Sequence, residues 1–206
     1  MKLYFVRHGE SVANILREFS NSGVRHPLTE KGIGQAQLMA QQLSDVPFVR
    51  IYSSPILRAL QTAQILVDKR DLPVEVTEAL REWNVGIYEG TTDPKGWDLH
   101  GSVQADWFFR NKPESKMPGG ENLIEIKDRF VPFIDGLVQR YRHTDHNILC
   151  VAHGGLYMAM LPVIFKNIDH AFANEHGVAH TTPTIGEIHL DGLYCTSWCG
   201  ILMAAS

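Results

Sequence analysis

The chain has 206 residues, 44% apolar and 20% charged, with a net charge of −4 at neutral pH. That length suits one ordinary domain with a substantial core. An acidic balance with scattered Lys and Arg residues excludes the basic face of a general nucleic-acid binder, and no apolar run approaches the roughly 18 residues of a membrane span.

Lys2–Val6 (KLYFV) is a nearly continuous apolar run, as expected of a strand buried on both faces. Because Met1-Lys2 leads straight into it, no signal peptide is expected. Thr29 is placed to cap a helix over Glu30–Leu43, whose Ala36, Met39, Ala40 and Leu43 recur at helical spacing. Val49–Ser53 reads as a second strand. Ser54-Pro55 then reads as a helix start, with Ser as N-cap and Pro at the first helical position. Ile56, Leu60, Ala63 and Val67 mark one face of that helix. Val74–Val76 is a short strand.

Trp83–Gly120 lacks a clear period and is rich in Trp, Gly, Pro and charge. A stretch that long is uncommon unless it is functional or hides helices, and it reads as an insertion over the site. Asn122–Arg142 repeats apolar residues at helical spacing, with a kink expected near Pro132. Asn147–Ala152 is the next buried strand, with a helix over Leu156–Phe165. Two last strands, Thr184–Leu190 and Tyr194–Trp198, are joined by the turn signal Asp191-Gly192. The alternation predicts an α/β fold, a three-layer sandwich with a mostly parallel central sheet and helices on both faces. Residues 1–206 are read as one domain, with 83–120 covering the site.

Ligands of parallel α/β sheets bind beyond the carboxyl ends of the strands. Arg7 and His8 follow the first strand, His153 follows the late one, and Arg58 opens the helix after the second. Glu82 lies shortly after the third strand. If those strands are adjacent, two His, two Arg and one Glu converge on one edge, a set suited to phosphoryl transfer. Arg matches phosphate oxygens and keeps its charge. A neutral imidazole is a nucleophile toward phosphorus, and a carboxylic acid can protonate the leaving oxygen.

In chain order, the motifs are Arg7-His8-Gly9 with Glu10-Ser11 and Asn14; Pro27-Leu28-Thr29 with Gly32 and Gln35-Ala36; and Ser53-Ser54-Pro55 through Arg58-Ala59 and Gln61-Thr62-Ala63. They continue with Leu80-Arg81-Glu82, Gly86 and Glu89-Gly90; Pro118-Gly119-Gly120-Glu121; and Val151-Ala152-His153-Gly154-Gly155. Over nearly the whole chain this pattern resembles the histidine phosphatase superfamily, the phosphoglycerate-mutase-like enzymes. The resemblance implies that His8 becomes the phosphohistidine and that Arg7, Arg58 and His153 hold the phosphoryl oxygens. Glu82 would then be general acid and base, and Asn14 would line the phosphate pocket. It implies a small phosphorylated substrate, no cofactor and no metal.

A phosphatase is expected over a cofactor-dependent phosphoglycerate mutase, because the insertion lacks the adjacent Arg pair that such mutases carry there. A silent phospholigand-binding domain would be expected to have lost one of the five positions. A metal-dependent hydrolase would need a clustered ligand set. Arg25, followed by His26, stands where many members of that family are acidic. If that loop borders the pocket, the added cation favours a more anionic substrate.

Other residues carry competing readings. Glu78 and Glu89 are the structural alternatives near Glu82. His143 and His146 read as exposed turn histidines over a loose metal pair, and His176 and His180 as locally bonded loop residues over substrate contacts. Trp83, Tyr88, Trp97, Trp107, Phe108 and Phe109 form either a pocket wall or a satellite core. Three cysteines, an odd number, suit a reducing compartment, with cytoplasm as the default. Cys150 reads as a core thiol, and Cys195, Cys199 and His189 as a loose metal pattern. No nucleic-acid or membrane partner is expected, and the protein is expected to be a monomer or a homodimer.

Overall fold

A computed structural model describes residues 1–23, 25–68 and 70–203. Its strands are β1 (Lys2–Arg7), β2 (Phe48–Ser53), β3 (Val74–Val76), β4 (Asn147–Ala152), β5 (Thr184–His189), β6 (Gly192–Trp198) and β7 (Ile201–Leu202). They form one sheet in the order β3-β2-β4-β1-β5-β6-β7. The first four are mutually parallel, and β5, β6 and β7 extend the sheet antiparallel. The helices are α1 (Val12–Leu16), α2 (Glu30–Gln42), α3 (Leu57–Val67), α4 (Pro94–Phe109), α5 (Leu123–Tyr141), α6 (Gly154–Ile164) and α7 (His170–His176).

The apolar runs are continuous because the central strands are covered on both faces. Successive side chains alternate across the sheet. Leu3, Phe5, Ile148, Cys150 and Ala152 join one core with α5, α6 and Leu80. Tyr4, Val6, Leu149 and Val151 join the other with Met39, Ala59, Ala63 and Leu66 from α2 and α3. Every one of these strand residues is buried, and full burial of a Val or Leu contributes about 1.5–3 kcal/mol.

Most elements start where sequence signals placed them. Thr29 Oγ1 accepts the Gly32 N–H and caps α2. Asn122 and Glu125 cap α5 reciprocally, each side chain accepting the other's backbone N–H. Pro132 does not divide that helix. It lies on the exposed face, where water can reach the carbonyl it leaves unpaired.

One start signal resolves differently. α3 begins at Leu57, with Ile56 at the cap position. Ser54 Oγ accepts the Ile56 N–H within a tight turn and also meets His153 Nε2 at 2.7 Å. The insertion is not irregular throughout, because it contains the sixteen-residue α4. Asp93 accepts the Lys95 N–H, and Pro94 opens the helix. Its apolar pattern is faint because only Gly96, Val103 and Trp107 are buried while Phe109 is exposed. α4 packs on α6 and α7.

Among the described residues, no helix is long and apolar enough to cross a membrane. The Asn122 cap should be worth about 1 kcal/mol. Asn122→Ala is expected to lower the unfolding free energy by that amount, read by circular dichroism as a lower urea midpoint with an unchanged m-value.

Candidate active site

β4 lies between β1 and β2, and its register sets the site. Arg7 pairs with Ala152 and Ser53 with Val151. Beyond those pairs, the His8 N–H donates to the Ala152 carbonyl and the Ser54 N–H to the Val151 carbonyl, both at 3.0 Å. His8, His153 and Ser54 therefore leave three neighbouring strands side by side. The His8 and His153 ring centres are 5.2 Å apart.

Hydrogen bonds fix the tautomer of His8. Arg58 Nε can only donate, and it meets His8 Nε2 at 2.9 Å, so Nε2 carries the lone pair. Nδ1, 2.7 Å from the Gly9 carbonyl, carries the proton. Burial, then the Arg58 charge, holds His8 well below the usual histidine range. His153 is held low by burial and then by Arg58 and Arg7.

Arg58 is itself buried and donates from Nη1 to the Ser20 carbonyl at 2.6 Å. Burial pulls its pKa down to about 10, so it remains a cation at neutral pH. Arg7 Nη1 donates to the Val178 carbonyl. Arg7 Nε and His153 Nδ1 are buried with no hydrogen-bond partner among the described residues. An unmet buried polar group costs about 1–3 kcal/mol, and this one edge holds two.

Glu82 meets the start of α6. Its Oε2 accepts the Gly155 N–H at 2.9 Å and its Oε1 the Trp83 N–H at 3.0 Å. Burial raises its pKa despite those bonds. A Cβ at Gly155 would sit 2.9 Å from both carboxyl oxygens, so the absent side chain is what admits Glu82.

The other glutamates are occupied elsewhere. Glu89 accepts the backbone N–H groups of Asn21 and Ser22, and Glu78 pairs with Arg81. Asn14 lines the cavity, but its Oδ1 accepts both the Ser11 N–H and the Ser11 hydroxyl. Only its amide N–H groups are left to offer an anion.

A cavity of about 390 Å³ opens from Arg7, His8, Arg58 and Glu82 toward Arg17, Glu18, Phe19, Trp97, His100, Gln104 and Met158. Of the aromatic set, Trp97 lines it. Trp83 and Trp107 are buried in the core, and Phe109 is exposed. Arg25 is not among the lining residues; it pairs with Glu18 at 3.2 Å, as does His26 at 3.5 Å.

Sequence reasoning missed His180 as a site residue. Its Nδ1 meets the His8 carbonyl at 2.6 Å, and the Thr181 N–H donates to the Arg7 carbonyl. β5 runs antiparallel to β1, so the chain entering β5 arrives at the carboxyl end of β1. A search confined to strand exits overlooks such a residue. His176 instead stacks on Phe172 within α7.

His143 and His146 are exposed, Cys199 contacts Thr182 and Thr184, and His189 packs on Tyr194. Among the described residues, no three His, Cys, Asp or Glu side chains group as metal ligands.

The family model of the histidine phosphatase superfamily (branch 1) matches residues 3–199. The chain is 29% identical to an adenosylcobalamin/alpha-ribazole phosphatase of Salmonella typhimurium over 78% of each chain. It is 29% identical to a putative phosphoserine phosphatase of Hydrogenobacter thermophilus over 93% of this chain and 90% of that one. A 2,3-bisphosphoglycerate-dependent phosphoglycerate mutase of Gloeobacter violaceus is also 29% identical, over 82% of this chain and 75% of that one. Among solved structures, the alpha-ribazole phosphatase of Shigella flexneri superposes with a TM-score of 0.79 at 26% identity, covering both chains fully.

The buried histidines make stability depend on pH. In the unfolded chain a histidine takes up its proton near pH 6.5. Folded His8 and His153 stay neutral well below that, and His100 and His180 down to about 4. Below pH 6.5 the unfolded state therefore binds more protons, and each group removes about 1.4 kcal/mol per pH unit. Glu82 has the opposite sign, since its raised pKa lets the folded state keep a proton that the unfolded chain has lost. One such group offsets only part of four. Urea midpoints are expected to fall steeply from pH 6 to pH 5, whereas a flat profile would mean that the histidines charge freely in the fold.

Proposed function

The chain belongs to the histidine phosphatase superfamily, and on that premise we propose that it is a phosphomonoester hydrolase working through a phosphohistidine on His8. The observation that carries this reading is the fixed tautomer of His8, whose lone pair at Nε2 faces a buried guanidinium.

In the first step, Nε2 attacks phosphorus and the bond to the ester oxygen breaks. Nδ1 keeps its proton, and the Gly9 carbonyl stabilises the charge that develops on the ring. Arg58 transfers its N–H from Nε2 to a phosphoryl oxygen. Arg7, His153 and Asn14 supply further donors around the equatorial oxygens, where charge is spread. Glu82, whose pKa burial raises, is the acid that gives its proton to the leaving alcohol. In the second step, Glu82 as carboxylate takes a proton from water while that water attacks phosphorus. Inorganic phosphate leaves and His8 is restored. No step requires a metal or an organic cofactor.

α4 and its flanking turns would form the substrate-covering insertion over this site. The mutase reading has a relative in its favour, but the insertion's cations are directed elsewhere. Arg110 and Lys112 pair with Asp106, and Lys116 pairs with Glu125. None of the three lines the cavity.

His8→Ala is expected to abolish hydrolysis of 4-nitrophenyl phosphate and the acid-labile phosphoenzyme trapped by rapid quench, while a chelator leaves the parent rate intact. Activity retained in His8→Ala, or lost to chelator, would overturn the proposal. Glu82→Gln should slow alkyl esters about 10²–10⁴-fold and 4-nitrophenyl phosphate far less, because a good leaving group needs little protonation. Isomerisation of phosphoglycerate with little free phosphate would favour the mutase.

A further inference from the structure

Beyond the phosphoryl end, the cavity runs under one face of α4. Trp97, His100 and Gln104 are spaced by three and four residues, so they share that face, and all three line the cavity. His100 is held firmly. Its ring stacks on Trp83 at 4.5 Å, with Phe19 and Trp97 each at 5.4 Å. Burial holds it near pKa 4, so at neutral pH it is an uncharged ring with one donor and one acceptor. Neither its ring nitrogens nor the Gln104 amide has a hydrogen-bond partner among the described residues, although both side chains border the cavity.

The charges at this end do not form an anion site. Arg17 lies on the exposed rim beside Glu18, whose sign is opposite, and Glu18 also meets Arg25 and His26. A substrate carboxylate would lose water next to Glu18, and Arg17, the cation that lines this end, is exposed and solvent-screened. A hydroxyl would meet neutral donors and acceptors, of which the His100 ring is already held in place by its aromatic neighbours.

We propose that His100 and Gln104 form a leaving-group subsite for an uncharged, hydroxyl-bearing alcohol, so that the favoured substrates are sugar-type or polyol-type phosphate monoesters rather than phosphorylated carboxylic acids. The proposal rests on the phosphatase reading of the same cavity. Sites built to bond a substrate hydroxyl discriminate through the buried polar groups left unpaired by a wrong ligand.

The test is a panel of ribose 5-phosphate, glucose 6-phosphate, glycerol 3-phosphate, 3-phosphoglycerate, phosphoserine and 4-nitrophenyl phosphate, run on the parent, His100→Leu and Gln104→Leu. The parent is expected to show kcat/KM at least about tenfold higher for the neutral alcohols than for the two acids. Each variant should raise KM for the favoured ester by about tenfold, with a smaller change in kcat. Each should also lower the ratio of that ester's kcat/KM to that of 4-nitrophenyl phosphate. His100 is packed among aromatics, so Gln104→Leu, at a partly exposed position with no aromatic stack on it, keeps the test decisive if His100→Leu does not fold.

Turnover of 4-nitrophenyl phosphate with a preference for either acid would overturn the subsite and leave the phosphatase reading standing. The same follows if the variants slow all six esters by one factor. Absence of turnover for every ester would overturn the phosphatase reading, and this inference with it.

Discussion

The site depends on β4 lying between β1 and β2. Residues 2 and 147 are far apart in the chain, yet their strands pair in parallel register over six positions. That register places the end of β1 level with the end of β4, so the two histidines emerge together. It also brings Ser54 under His153. A slip of one residue would send the apolar side chains of both strands to the wrong cores. The same packing that drives folding therefore fixes the reacting groups. Leu3 and Phe5 anchor the strand on one face, and Tyr4 and Val6 on the other.

Burial then sets protonation. Desolvation disfavours every charged form, which holds His8 and His153 below the usual histidine range and pushes the Glu82 carboxyl up. Those are the directions that the proposed nucleophile and acid would need. Arg58 and Arg7 resist because guanidinium is so strong a base, so the site keeps two cations facing largely neutral neighbours. A phosphoryl dianion supplies the missing countercharge and would meet the unpaired Nε of Arg7 and Nδ1 of His153. Such an arrangement is costly for folding and useful for binding, the trade-off expected at a functional site.

Much of this was legible in the sequence because it depends on short-range signals. Buried parallel strands read as apolar runs, and β3 and β4 appear with the bounds expected of them. Of the five positions proposed to handle the phosphoryl group, Arg7, His8 and His153 lie at strand exits and Arg58 in the first turn of a helix, places that sequence can name, while Glu82 follows a short turn after β3. α4 was not legible because its apolar residues are divided between the core, the cavity and solvent. α1 and α7 are short, and β7 has only two residues, too few to show a period. His180 was missed for a topological reason, since strand order and direction bring it to His8. The start of α3 moved because Ser54, a good N-cap by type, is held in a turn against His153.

The division within the cavity explains why sequence motifs speak to chemistry and are silent on substrate. The phosphoryl end is built from strand ends whose positions the sheet dictates. A change there would disturb both the core and the proposed reaction. The far end is built on α4, which anchors itself by Val103 and Trp107 and by its own cap at Asp93. Trp97, His100 and Gln104 lie outside that anchor. Trp97 and His100 pack on Phe19 and Trp83 but take no part in the strand register, so the sheet does not dictate their identities. Specificity is therefore best read from the chemistry of that helix face: here, a neutral imidazole and an amide, with Arg17 and Glu18 of opposite sign on the same cavity wall.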